Sequence, residues 1–261
     1  MTVPAPSRSF DRAADYYDQT RELPEPIATQ GIPALLQHIA PHGKILDVGT
    51  GTGRISVPLL RLGADVIGVD LSLNMMGKLR EKYPAARLAQ ADASRLPFAA
   101  QRFDAVLTTH VMHLIGPWRE ALREYRRVLK PGGVYIDSTQ WHDTSSHLTR
   151  IRDHWRELIE AQGAQWRRPG VQSYVELNAE LKAWGAQIVE VEVLRYSATA
   201  TPRERLDQIH SRVCSDAWDI ADDVFDVTFN EITAWTEKEI GPLDQPITEE
   251  RRFVLRIAGF E

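Results

Sequence analysis

The sequence predicts an α/β fold: a doubly wound, mostly parallel sheet with helices on both faces. Three observations carry that expectation. An apolar run at 44–48 enters a turn containing Gly49, Gly51 and Gly53, a helical pattern over 55–62 leaves it, and a second apolar run over 64–70 ends in Asp70. That is the order of a parallel strand–helix–strand unit. Residues 103–109 form a near-continuous apolar run, as expected of a strand covered on both faces. Strand and helix patterns then alternate regularly as far as residue 139. At 261 residues the chain suits one domain with an elaborated helical part better than two independent domains.

Residues 10–21 carry Phe10, Ala13, Ala14, Tyr16 and Tyr17 on one face of an expected helix that stops before Pro24. A second helix is expected over 32–39, broken by Pro41-His42-Gly43, so that 1–40 is helical and 44–140 is a sheet-forming core. Gly63 is placed to end the helix of the first crossover. Ser72 is placed to cap the next one, which closes near Tyr83-Pro84. Strands follow at 85–91, 103–109 and 134–139. A helix runs over 118–129, and Lys130-Pro131-Gly132-Gly133 turns it into the last of these strands.

Beyond Gln140 the regularity fails. A helix over 147–161 has no strand directly after it; a crossover helix over 174–184 and strands at 187–196 and 252–257 resume the pattern, and 202–240 reads as helical. Segments 141–171 and 202–245 are therefore expected to be insertions forming a helical cap over the ligand crevice, because open α/β sheets bind ligands beyond the carboxyl ends of their strands.

The glycine-rich turn constrains the ligand. A dinucleotide fingerprint needs its third glycine three positions after the second, but Arg54 stands there. Asp47, two residues before Gly49, puts a fixed negative charge where a diphosphate would be repelled and a cation attracted. Asp70 follows Gly49 by about twenty residues, the spacing of a carboxylate that accepts from ribose hydroxyls. These features suit an adenosine without phosphate and with a cationic far end, the form of S-adenosylmethionine.

Composition narrows the partners. The net charge is -5 and the basic residues occur only in short pairs, so no cationic track exists for nucleic acid and a small molecule is expected instead. Cys214 is the only cysteine, which excludes an internal disulfide and a thiolate-rich metal site. Residues 1–10 lack the apolar core of a signal peptide, and no run approaches the roughly 20 apolar residues of a membrane span. A cytoplasmic protein that does not engage membranes is expected, as a monomer or homodimer.

With Asp47-Val48-Gly49-Thr50-Gly51-Thr52-Gly53, Asp70, Asp92-Ala93 and Leu129-Lys130-Pro131-Gly132-Gly133 in order, the chain resembles the class I S-adenosylmethionine-dependent methyltransferases. It is most similar to the bacterial small-molecule group sharing a domain with ubiquinone and menaquinone methyltransferases. The resemblance covers about 10–139 and implies seven strands, the last antiparallel and falling near 252–257. It further implies that Gly49, Thr50 and Gly51 admit the methionine portion while Asp47 holds its ammonium. Asp70 would accept both ribose hydroxyls, Leu71 and Met75 would pack on adenine, and Asp92 and the Ala93 backbone would meet the adenine edge. Tyr17 and Arg21 lie in a stretch similar to the family's amino-terminal segment, where Arg21 would meet the carboxylate.

Methyl transfer from a sulfonium needs positioning and exclusion of water, and needs a base only if the acceptor must lose a proton. His110 and His113 follow the fourth strand and are the candidate bases, with His110 also a candidate donor contact; either is as readily a structural residue. Trp141 and His142 follow the fifth strand and are further candidates for the acceptor pocket. Most of the aromatic residues of the expected cap, among them Trp155, Trp166, Trp218, Phe225, Phe229 and Trp235, read as core, with one or two free to line an apolar acceptor pocket. No metal constellation is present, and Thr108-Thr109-His110-Val111 is unlike the Asp/Asn-Pro-Pro-aromatic turn of base-amine and glutamine methylating enzymes. Two other readings stay open on sequence: a donor-binding protein without turnover, and a nicotinamide-dependent oxidoreductase.

Overall fold

The computed structural model describes residues 5–142, 146–164 and 168–260, excepting the side chains of 140–142 and 216. The chain separates into two compact units. One comprises residues up to 139, 168–194 and 253 onward; the other comprises 140–167 and 195–252.

The first unit begins with a 3-10 turn at Asp11–Ala13 and a short helix α1 at Tyr17–Thr20. The single helix expected over 10–21 is thus broken. Side chains are diverted to tertiary partners: the Ser72 hydroxyl donates to Asp11 at 2.5 Å, and the Thr52 hydroxyl donates to Asp18 at 2.6 Å. A π-helical turn at Ile27–Gly31 leads into α2, Ile32–Leu36, so this helix starts earlier and ends sooner than expected.

The expected alternation then follows: β1 (Lys44–Val48), α3 (Ser56–Arg61), β2 (Asp65–Asp70), α4 (Leu73–Lys82), β3 (Arg87–Gln90), β4 (Phe103–Thr109), α5 (Trp118–Val128) and β5 (Leu129–His142). Ser72 caps α4, its hydroxyl accepting from the Met75 N–H at 3.1 Å. Gly63 ends α3 at φ 82°, with its N–H on the Leu60 carbonyl. Residues 130–133, expected as a turn, instead form an irregular start to β5: Phe103 faces Leu129 while Ala105 already faces Val134, so the extra residues bulge out.

Later elements are α6 (His147–Ala161), α7 (Tyr174–Ala183), β6 (Gln187–Ala200), α8 (Pro202–His210), α9 (Asp222–Glu239) and β7 (Ile247–Gly259). Helix 202–240 is interrupted because Arg212 takes a left-handed φ of 46°, its carbonyl accepting from Trp218 Nε1 at 2.9 Å and its guanidinium bonding the Ile220 carbonyl at 3.1 Å.

The sheet order among the described residues is β3-β2-β1-β4-β5-β7-β6. Strands β1 to β5 pair in parallel. Along β6 and β7 the linked side chains run in opposite senses, Glu190 with Arg256, Arg195 with Glu250 and Thr199 with Thr248, so β7 is antiparallel. The seven strands with an antiparallel last member are as the resemblance implied. Its core layer is built from Leu46, Val48, Val106, Leu122, Tyr125 and Tyr135, each at most 2% exposed.

The second unit has its own apolar core. Leu148, Ile151, Trp155 and Ile159 of α6 meet Leu206, Ile209, Phe225 and Ile232. Trp155 crosses Phe225 edge-to-face at 5.7 Å and donates Nε1 to Thr228 at 3.2 Å, so this buried indole leaves no polar atom unsatisfied. Trp155 and Phe225 are therefore core residues, as helical spacing suggested. Trp166 and the side chains of Trp141 and His142 lie outside the described residues.

Candidate functional site

After β1 the chain crosses to β2 and β3 on one side and returns to β4 on the other, so β1 and β4 flank the point where strand order reverses, the usual crevice of such sheets. The parallel register sets Asp47 opposite Gly68 and Leu107. It therefore gathers the carboxyl ends of β1, β2 and β4 at one edge.

Gly49, Gly51 and Gly53 all have positive φ, at 72°, 54° and 85°. At Gly49 a Cβ would stand 2.5 Å from Val111 Cγ2, so glycine is what lets the segment after β4 close on the loop. The N–H groups of Gly49 and Thr50 both donate to the Val69 carbonyl at 2.8 and 3.0 Å, tying the loop to β2. Lys82 adds a bond to the Thr52 carbonyl at 2.8 Å and an ion pair with Asp18 at 2.5 Å. Asp11, Asp18 and Lys82 were missed by sequence reasoning; they brace the loop from outside.

Asp47 is 2% exposed and has hydroxyl partners only. Ser56 Oγ donates to its Oδ2 at 2.5 Å, and the Thr50 hydroxyl, 2.8 Å from Ser56 Oγ, is its second hydroxyl partner. Burial pushes its pKa up to about 6 against the pull of those hydroxyls, and the charge of Asp70 raises it further. Asp70 is half-buried; its Oδ2 accepts from Gly51 N–H at 2.8 Å and its Oδ1 from Ser72 N–H at 2.9 Å. Burial raises its pKa as well, opposed by these backbone donors. Two carboxylates thus share one poorly hydrated edge, and among the described residues no cation pairs with Asp47. Backbone donors do not exhaust this carboxylate, whose two oxygens offer about four acceptor positions, and a vicinal diol needs such spare capacity. A buried, uncompensated charge is costly and suits a cationic ligand. The residues therefore fit S-adenosylmethionine.

Around this edge, Met75 is buried with its Cε near Gly51, Leu71 is half-buried, and Ala93 is 9% exposed. Asp92 is half-buried and turns Oδ1 to the N–H and hydroxyl of Ser94 at 2.8 and 2.7 Å. Tyr17 packs edge-to-face on Phe10 at 6.0 Å, in the same short helix as Asp18, and Arg21 ends that helix. His110 directly follows β4 with a left-handed φ of 53°, beside the Val111 that covers Gly49. His113 lies one turn on, within Met112–Leu114, where its carbonyl accepts from Gly170 N–H at 3.0 Å. Sequence reasoning used Arg54 only against a dinucleotide; its Nε is shielded from solvent and has no hydrogen-bond partner. Among the described residues no group of three or more His, Cys, Asp or Glu is placed to hold a metal, and no helix is long and apolar enough to cross a membrane.

Residues 46–137, which hold the glycine loop and both carboxylates, match the family model described as a methyltransferase domain. The chain is 31% identical over 191 residues to a demethylmenaquinone methyltransferase of Streptomyces avermitilis, spanning 71% of this chain and 82% of that one. The chain belongs to the class I S-adenosylmethionine-dependent methyltransferases. A malonyl-[acyl-carrier protein] O-methyltransferase of Enterobacter lignolyticus is 32% identical over 158 residues, 60% of each chain. The fold of a solved S-adenosylmethionine-dependent methyltransferase of Thermotoga maritima superposes with a TM-score of 0.54 at 18% identity, covering 97% of this chain and 98% of that one. Membership in this methyltransferase family makes S-adenosylmethionine the cofactor and the chain an enzyme, and it does not favour the nicotinamide and binding-only readings.

Proposed function

We propose that this methyltransferase acts on a small organic acceptor in the cytoplasm, and that Asp47 is the group that selects its donor. One observation carries the reading: a carboxylate closed off from water, bonded only to hydroxyls and facing a second carboxylate, is a site prepared for a cation. The bound donor supplies an electrophilic methyl on its sulfonium. Asp47 holds the ammonium, and Asp70 orients the ribose through two hydroxyl donors. Leu71, Met75, Asp92 and the Ala93 backbone form the adenine site, and Gly49, Thr50 and Gly51 leave room for the methionine chain. The carboxylate falls to Arg21 beside Tyr17, with the unspent Nε of Arg54 as its competitor. His110 stands at the donor edge and His113 one turn beyond; either takes the proton of an acceptor that ionises on transfer.

Acceptor choice lies with residues outside the matched donor core. The family match spans only the donor core, whereas the two named relatives carry different acceptors in their names. Screening a metabolite library for transfer of labelled methyl tests the small-acceptor reading; labelling of protein or RNA alone would contradict it. Asp70→Ala should weaken S-adenosylhomocysteine binding by about tenfold or more, and unchanged affinity would remove Asp70 from the site. Comparing Arg21→Ala with Arg54→Ala assigns the carboxylate partner, since only the true partner loses affinity.

A further inference from the structure

Helix α5 carries a row of arginines that the donor site does not use. Arg119 binds α5 to α7 through Glu180 at 2.8 Å and Glu176 at 3.2 Å. Further along the same helix, Arg123, Arg126 and Arg127 line a cleft of about 440 Å³ together with Trp184, a volume within the range of small-molecule sites. All four residues belong to the first unit. The lining holds three guanidiniums and no carboxylate. Arg127 is consumed by structure: Glu124 takes its Nε and one amino group at 2.7 Å, and the Phe98 and Leu96 carbonyls accept at 2.8 and 3.2 Å. That is the ordinary duty of a basic residue in the last turn of a helix. Arg123 is held loosely, by Glu120 at 3.2 Å with both side chains more than half exposed. Arg126 has no carboxylate partner among the described residues; its guanidinium lies 5.4 Å from the Phe260 ring, as that of Arg123 lies 6.0 Å from the Trp184 ring. Trp184 and Phe260 both pack against the core, so the rings are fixed beneath exposed guanidiniums. A solvated arginine face accounts for exposed side chains, not for a cleft that joins them to an indole and excludes carboxylates from its lining.

We infer that the cleft between the end of α5 and Trp184 binds a small planar anion, an aryl ring bearing a phosphate or carboxylate. The ring lies on the Trp184 indole, and the oxyanion sits between Arg123 and Arg126, whose forks match either group in bidentate geometry. With Glu124 set against Arg127 and Glu120 against Arg123, the positive charge of Arg126 is left over, which suits one anionic group. A row confined to one helix does not suit a polyanion. None of the residues assigned to the donor lines this cleft, so the inference stands apart from the donor reading.

The test titrates the full chain, with S-adenosylhomocysteine saturating the donor site, against sodium phenyl phosphate and, separately, sodium benzoate, each replacing sodium chloride at constant ionic strength. Inorganic phosphate and acetate supply the same oxyanions without the ring. Saturable binding of one aryl anion, about fivefold or more tighter than its ring-free counterpart, is expected, and the tighter aryl anion identifies phosphate or carboxylate chemistry. Arg126→Gln should weaken it by about tenfold and Trp184→Leu by about fivefold, with S-adenosylhomocysteine affinity held to within about twofold. Should Trp184→Leu fail to fold, the exposed Arg126 alone decides. Binding of neither aryl anion overturns the site, as does a ring-free anion that binds equally well or a folded Arg126→Gln that binds like wild type. Binding of a glutamate-rich peptide in place of both aryl anions overturns it in favour of a protein partner. A chain that binds the aryl anion but not S-adenosylhomocysteine would instead strike the donor reading and leave the cleft standing.

Discussion

Asp47 in β1 and Asp137 in β5 lie on either side of β4, both at 2% exposure, and burial pushes both pKa values to about 6. Their surroundings differ in one respect. Asp137 accepts from Thr108 Oγ1 at 2.8 Å and faces the Arg256 guanidinium at 3.4 Å, which also holds Glu190 at 2.6 Å and lies over the Tyr174 ring at 4.0 Å. Asp47 has two hydroxyls and a neighbouring carboxylate. The first charge is answered inside the protein and ties β7 to the sheet. The second has no internal counter-ion among the described residues. A shifted pKa is the same in both places; the presence or absence of an internal counter-ion separates structure from function.

That contrast is broken most forcibly at Arg256. Arg256→Ala leaves Asp137 buried beside no cation and should cost about 3–5 kcal/mol in urea unfolding. A loss below about 1 kcal/mol would mean that Asp137 is neutral at neutral pH. Asp47→Asn should do the reverse. It removes an uncompensated charge, so unliganded stability stays level or rises, while S-adenosylmethionine affinity drops by about 10- to 100-fold in calorimetry. Asp137→Asn, by contrast, should leave donor affinity within about threefold, since no ligand cation reaches it in this account. The smallest effect is expected at Asp18→Ala, which loses the Thr52 hydroxyl and the half-exposed Lys82; about 0–1 kcal/mol of stability should disappear.

How much could be read beforehand follows the same division. The glycine loop, its carboxylate and the helix cap were legible because their devices are local: glycines two apart, a carboxylate two residues before them, a serine cap three residues before Met75. The braces were not. Asp11 reaches Ser72 across 61 positions, and Asp18 reaches Thr52 across 34, while Asp137 and Arg256 are 119 apart. No periodicity announces such pairs. Helix propensity over 10–21 and 202–240 was overridden by tertiary hydrogen bonds and by a left-handed Arg212. The bulge at 130–133 was read as a plain turn because lysine, proline and two glycines suit either.

The pH profile of S-adenosylmethionine affinity tests the central claim most directly. The folded pKa of Asp47 lies near 6, above the unfolded value of about 3.9, so the folded protein binds the extra proton between them. Unliganded stability owed to this group therefore rises as pH falls through that window, whereas attraction for an ammonium is lost. Affinity should be flat above about pH 7, fall by up to tenfold per unit below about pH 6 in the wild type and in Asp137→Asn, and fall distinctly less in Asp47→Asn, where only Asp70 still titrates in the donor site. A profile unchanged by Asp47→Asn would contradict the claim that this carboxylate holds the donor.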